Sequence, residues 1–184
     1  NHTAILMQGI WHCGRVFDRP DWIERAREFA ERFSASGHPD GYFEENTNAA
    51  REGGPSLVYS PLTAGCLFDV LDGATHPRET FVQAGNWFRA FLNSRRELIP
   101  LADERTNTHC VWASYGLALH SLTPRGRAFV RDSLETLDPA QATPEMLAVL
   151  AHELALMRTG PGETPEYRTD GATRRRYDLG AAGA

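Results

Sequence analysis

The 184-residue chain contains no lysine: its 19 basic residues are all arginine, set against 24 acidic ones for a formal charge of −5. With that charge spread along the sequence, a basic nucleic-acid-binding surface of the usual kind is excluded. Cysteine is scarce and odd in number, at Cys13, Cys66 and Cys110, and none has the paired C-x-x-C spacing of a zinc or redox centre. All three are expected to be small buried apolar side chains. No apolar run approaches the roughly 20 residues that cross a bilayer, so no membrane span is expected. Methionine is missing from the first position. The chain opens on Asn1-His2 at what reads as a helix start, and it is expected to be a fragment or processed chain whose upstream helices are absent.

What is present is ordinary globular composition, 41% hydrophobic and 10% aromatic, enough for one domain with a sizeable core. Proline supplies the punctuation. A helix-like run ends, a short polar turn follows, and a new helix opens at Pro20, Pro77 and Pro124; proline suits the first helical position because its missing N–H would be unpaired there. The spacing predicts first helices over residues 3–15, 61–71 and 109–122, and second helices over 20–34, 77–92 and 124–137. A further run over 144–157, opened by Thr143, starts a fourth pair. Successive prolines are offset by 57 and 47 residues, a long and uneven period that fits stacked αα-hairpins with inserted loops. The expected fold class is therefore all-α, an antiparallel αα-hairpin array over residues 1–160, followed by a disordered or extended tail over 161–184.

In such an array the first helices all point one way and their N-termini share a rim. The long connections, residues 35–60 and 93–108, open onto that same rim, where binding and catalytic loops belong. Asn1, His2, Tyr59 and His109 stand at or near helix starts, and the loops add Tyr42, Glu44, Arg51 and Arg105. Helix N-termini carry a positive dipole end, which suits an anionic ligand. In the Pro39-Asp40-Gly41 turn region, Phe43 is expected to fold back as a plug for the helices, while Tyr42 either does the same or faces a sugar ring. His12, His120 and His152 fall inside helices without a metal-ligand spacing, and are expected to be core or surface histidines. The core is expected from Ile5, Leu6, Ile10, Leu62, Cys66, Leu67, Val70 and Leu119 packed against Trp22, Phe29, Phe33, Phe81, Trp87, Phe88 and Phe129.

Three motifs in order resemble the alginate lyase and heparinase-like polysaccharide lyases built on an incomplete (α/α) toroid: Asn1-His2 opening a helix, the Asp40-Gly41-Tyr42-Phe43 loop, and the Gly54-Pro55 approach to Tyr59. The resemblance covers about the first 75 residues. Thr3-Ala4-Ile5 departs from it where a further aromatic or His often follows, and the chain ends in Arg174-Arg175-Arg176 and a Gly/Ala-rich stretch where many of those lyases continue into a β-sandwich. The resemblance implies β-elimination on a uronic acid polysaccharide or oligosaccharide. His2, Tyr59 and Asn1 are then the catalytic set, and Tyr42, Glu44, Arg51, Arg105 and His109 bind substrate. No cofactor and no metal are expected, and the resemblance implies a periplasmic or secreted setting. Two other readings stand beside it. One is a toroid glycoside hydrolase, including hydrolases of unsaturated uronyl sugars, using Glu44 or Glu45 with Asp103 or Glu104. The other is a non-catalytic carbohydrate-binding helical module.

Overall fold

The computed structural model describes residues 2–44, 55–57, 59–73, 76, 78–92, 116–135 and 143–157. Among the described residues the chain is helical, with one isolated antiparallel bridge between Glu44 and Pro55. The helices are α1 (His2–Val16), α2 (Pro20–Ser34), α3 (Tyr59–Val70), α4 (Glu79–Ala90), α5 (Pro124–Glu135) and α6 (Pro144–Leu156), with a 3₁₀ turn over Leu117–Leu122. The expected tail over 161–184 lies outside the described residues.

The predicted punctuation recurs as hydrogen bonding. α1 ends where Arg19 N–H reaches the carbonyl of Gly14 at 2.7 Å, with Asp18 at φ 51°. α3 ends in the same way, Gly73 N–H reaching the carbonyl of Phe68 at 2.8 Å with Asp72 at φ 50°. In both, a left-handed residue after the last turn lets an amide satisfy an otherwise orphaned carbonyl, and Asp is one of the few side chains that tolerate that conformation. Pro20, Pro124 and Pro144 open their helices as expected, and Thr143 caps α6 by accepting from Met146 N–H at 3.2 Å. α4 differs: it starts at Glu79, two residues beyond Pro77, with Arg78 in extended conformation before it. The predicted helix over 109–122 is also corrected in its described part. Gly116 sits at φ 90° and only the 3₁₀ turn follows it, a backbone state that interrupts a helix and that glycine adopts without strain.

α3 is the centre of the packing. Every residue from Ser60 to Val70 is buried, as expected of a helix that is apolar around its whole circumference. α1 lies along one side of it. The contacts His2 to Tyr59 and His12 to Asp69 share one 57-residue offset, so the two helices run in the same direction. α2 covers both, and Ala26, Ala30, Phe68, Phe81, Ala84 and Leu119 form one cluster with Trp11 and Phe43. Gly65 makes room for the Gly116 backbone, whose nitrogen stands 3.0 Å from where a Cβ on residue 65 would be.

Three core expectations fail in α1. Ile5 and Leu6 are exposed, Leu6 at 65%, and Cys13 is exposed while Cys66 is buried. A helix has one face toward its neighbours, and Ala4 and Trp11 occupy it here. Phe43 behaves as expected: it is buried, stacked with Phe33 at 6.0 Å, and its backbone N–H donates to Ser60 Oγ at 2.8 Å.

Candidate functional site

The N-terminal ends of α1 and α3 bring His2 and Tyr59 together. Their rings meet edge to face with centroids 6.2 Å apart, His2 exposed and Tyr59 half-buried. Tyr59 is held there because α3 opens two residues earlier than predicted. Ser56 Oγ accepts from Tyr59 N–H at 3.2 Å, and Ser60 N–H reaches the Ser56 carbonyl at 2.9 Å. Ser56 therefore caps α3, because an oxygen three residues upstream satisfies an otherwise unpaired amide of the first turn. Ser60 binds Phe43, which ties the Asp40–Phe43 loop to the start of α3.

Glu44 is exposed, and its bridge to Pro55 closes the loop just before this cap. Tyr42 requires a correction. It is only 7% exposed, stacked on His38 at 4.2 Å and tilted against Trp87 at 5.7 Å, so its ring belongs to the packing and does not offer an open face to a sugar. Gly41 at φ 101° turns the chain inward at that point, and burying both aromatics gains more than leaving either in water. Asn1, Arg51, Arg105 and His109 lie outside the described residues. Shallow apolar grooves occur on α2, around Ile23 and Arg27, and between α5 and α6, around Val130, Leu134 and Leu154; neither of these borders His2 or Tyr59.

A second cluster forms ten residues further along the same two helices. Asp69 Oδ2 accepts from Gln8 Nε2 at 2.6 Å and lies 2.8 Å from His12 Nε2 and 3.3 Å from His152 Nε2. Asp69 is buried, its side chain 2% exposed, whereas His12 and His152 keep 43% and 38% of theirs in solvent. The rings of Trp11 and His12 meet edge to face at 4.8 Å, and so do the two imidazoles, at 5.7 Å. His12 and His152, read from the sequence as core or surface histidines without a metal-ligand spacing, are half-exposed and meet at one carboxylate. They come from α1 and α6, and no local spacing could announce their meeting on α3. The one sequence signal was Asp69 itself, a charge inside an otherwise apolar helix, which has to find partners to be buried.

Next to His152, Glu153 is buried and each of its oxygens accepts one backbone amide: Oε1 from Gly116 at 2.9 Å and Oε2 from Ala118 at 2.8 Å. Burial raises its carboxyl above the usual range, and the two amides pull it back in part. His120 is wholly buried, as expected of a core histidine, between Phe88 and Phe129, with Nδ1 3.1 Å from the Arg89 guanidinium. Burial first, and the Arg89 charge second, depress its basicity well below 6.5 and keep the ring neutral.

No family model matches the chain, and no solved structure does. A stretch of 89 aligned residues is 34% identical to a probable serine/threonine-protein kinase of Arabidopsis thaliana, covering 45% of this chain and 22% of that protein. The chain thus spans about a fifth of the length of the curated relative it matches. The His-Arg-Asp and Asp-Phe-Gly tripeptides used in kinase phosphoryl transfer do not occur in the sequence.

Proposed function

We propose that this chain is part of an incomplete (α/α) toroid, an antiparallel αα-hairpin array, that cleaves a uronic-acid-containing polysaccharide by β-elimination. The observation that carries the reading is the His2–Tyr59 contact at the shared N-terminal end of two parallel helices. An imidazole and a phenol, groups that can take up and give a proton, stand there side by side. The dipole ends of α1 and α3 add positive potential for a carboxylate.

In the reaction, a base removes the C5 proton of a uronate, the C4–O bond to the leaving sugar breaks, a C4=C5 double bond forms, and the departing oxygen takes a proton. The barrier is the weak acidity of C5, which falls when donors neutralise the uronate carboxylate and the negative charge growing on it. Tyr59 supplies the proton to the leaving oxygen. His2 accepts the C5 proton, or stabilises the carboxylate where Tyr59 itself takes that proton and passes it to the leaving oxygen, with Asn1 beside His2 in sequence as a further donor. Glu44, exposed at the closed loop, is a polar contact for the sugar chain.

The test is a panel of alginate, heparinoid, hyaluronan and pectic substrates incubated with the full chain and followed by the ultraviolet absorbance of the new conjugated double bond. Absorbance on one polymer supports β-elimination. New reducing ends without that absorbance point to a hydrolase, and binding without turnover points to a carbohydrate-binding module; either overturns the lyase reading.

A further inference from the structure

We infer that His12, Asp69 and His152 form a binding site for one divalent transition-metal ion, with zinc the best chemical fit. The donor set is two imidazole nitrogens and one carboxylate oxygen, which suits a borderline cation better than calcium or magnesium. The three ligand atoms, Nε2 of each histidine and an Asp69 carboxylate oxygen, all lie within 4.8 Å of one another. In a tetrahedral zinc centre with bonds of about 2.1 Å, neighbouring ligand atoms stand about 3.4 Å apart. The two separations from Asp69, 2.8 and 3.3 Å, lie just under that value, and no pair of ligand atoms exceeds 4.8 Å, so small side-chain shifts would open the set around an ion.

The surroundings also suit a metal. Asp69 is the buried member and supplies the negative charge, while the half-exposed histidines leave a path from solvent. Trp11 fixes the plane of the His12 ring. Gln8 lies one helical turn before His12 on the same face of α1, and its amide already touches Asp69 Oδ2. Turned about its terminal bond, that amide presents Oε1 as a fourth ligand; otherwise a water completes the shell.

The position assigns the ion a structural role. α6 contributes His152, α3 contributes Asp69 and α1 contributes His12, so one ion pins three helices that are far apart in sequence. His2 is ten residues up α1, about 15 Å at 1.5 Å rise per residue, too far for the ion to touch a substrate held at Tyr59. The inference therefore stands apart from the proposed reaction.

The experiment is native mass spectrometry of the full, metal-stripped chain with added zinc, alongside cobalt(II) titration read by its visible absorption bands. One bound equivalent is expected, with four- or five-coordinate cobalt bands and a rise in the unfolding temperature. His152→Ala and His12→Ala truncate partly exposed side chains, and each should weaken binding at least tenfold. Asp69→Asn, which keeps the buried volume, should do the same. The absence of stoichiometric metal on the wild-type chain, or equal binding and an unchanged cobalt spectrum in His152→Ala, overturns the site.

Discussion

The imidazole of His12 meets the carboxylate of Asp69 at a 57-residue offset, and ten residues upstream the ring of His2 meets that of Tyr59 at the same offset. It is also the spacing between Pro20 and Pro77. Two parallel helices held in one register thus carry two side-chain clusters at different heights, and each can be altered without disturbing the other.

Tyr59→Phe keeps the ring and its packing but removes the hydroxyl. If Tyr59 protonates the leaving oxygen, kcat on the susceptible polymer should fall by about 10²–10⁴-fold with little change in KM. His2→Ala should produce a comparable loss. Circular dichroism of both variants should match the wild type, since His2 is exposed and Tyr59 only half-buried.

Glu153→Ala leaves the amides of Gly116 and Ala118 buried without acceptors, and urea unfolding should show a loss of about 2–4 kcal/mol. The pH dependence has a definite sign. The folded carboxyl binds its proton more tightly than the unfolded one, whose ordinary value is 4.5. Its contribution is therefore complete below that value and is lost as pH rises through the higher folded value. The same pH series on Glu153→Gln should lack that component.

His120 works in the opposite sense. Its folded form resists protonation, so its contribution is present above 6.5 and is lost as pH falls below it, where the unfolded chain takes up the proton. Between pH 6.5 and 5.5 the wild type should lose up to about 1 kcal/mol more than His120→Gln, measured by parallel urea titrations.

Two glycines should respond to alanine in opposite directions. A Cβ on Gly41 would stand 2.2 Å from the Gln83 carbonyl oxygen at a φ of 101°, so Gly41→Ala should cost about 3 kcal/mol or more and loosen the Tyr42–Trp87 packing. Gly9 lies exposed inside α1 with nothing within 4 Å of the added carbon. Gly9→Ala should stabilise by about 0.5–1 kcal/mol, read as a higher urea midpoint.

Much of the helical layout was legible because its signals are local. Pro20 to Ser34 and the start at Pro144 follow from proline chemistry and an apolar period of 3.6 residues, and both appear as read. The misplaced boundaries have local causes that need coordinates. Ser56 caps α3, and Gly116 adopts a left-handed conformation because its backbone lies against Pro61. Tyr42 was ambiguous in the sequence because a tyrosine beside a turn packs inward or outward according to what faces it, and what faces it is Trp87, 45 residues away.

The sequence by itself determined α1, α2 and the openings of α5 and α6, since proline and an apolar helical period act over a few residues. It also brought forward the pairing of His2 with Tyr59, because α1 and α3, read as helices running the same way, begin at a shared end. Only the tertiary structure decided that α1, α3 and α6 converge on the Asp69 carboxylate, and that Glu153 closes the turn at Gly116. Those contacts bridge 35 to 83 residues of chain, and they form because a carboxylate carried into an apolar interior by its helix is stable there only where donors from other helices reach it.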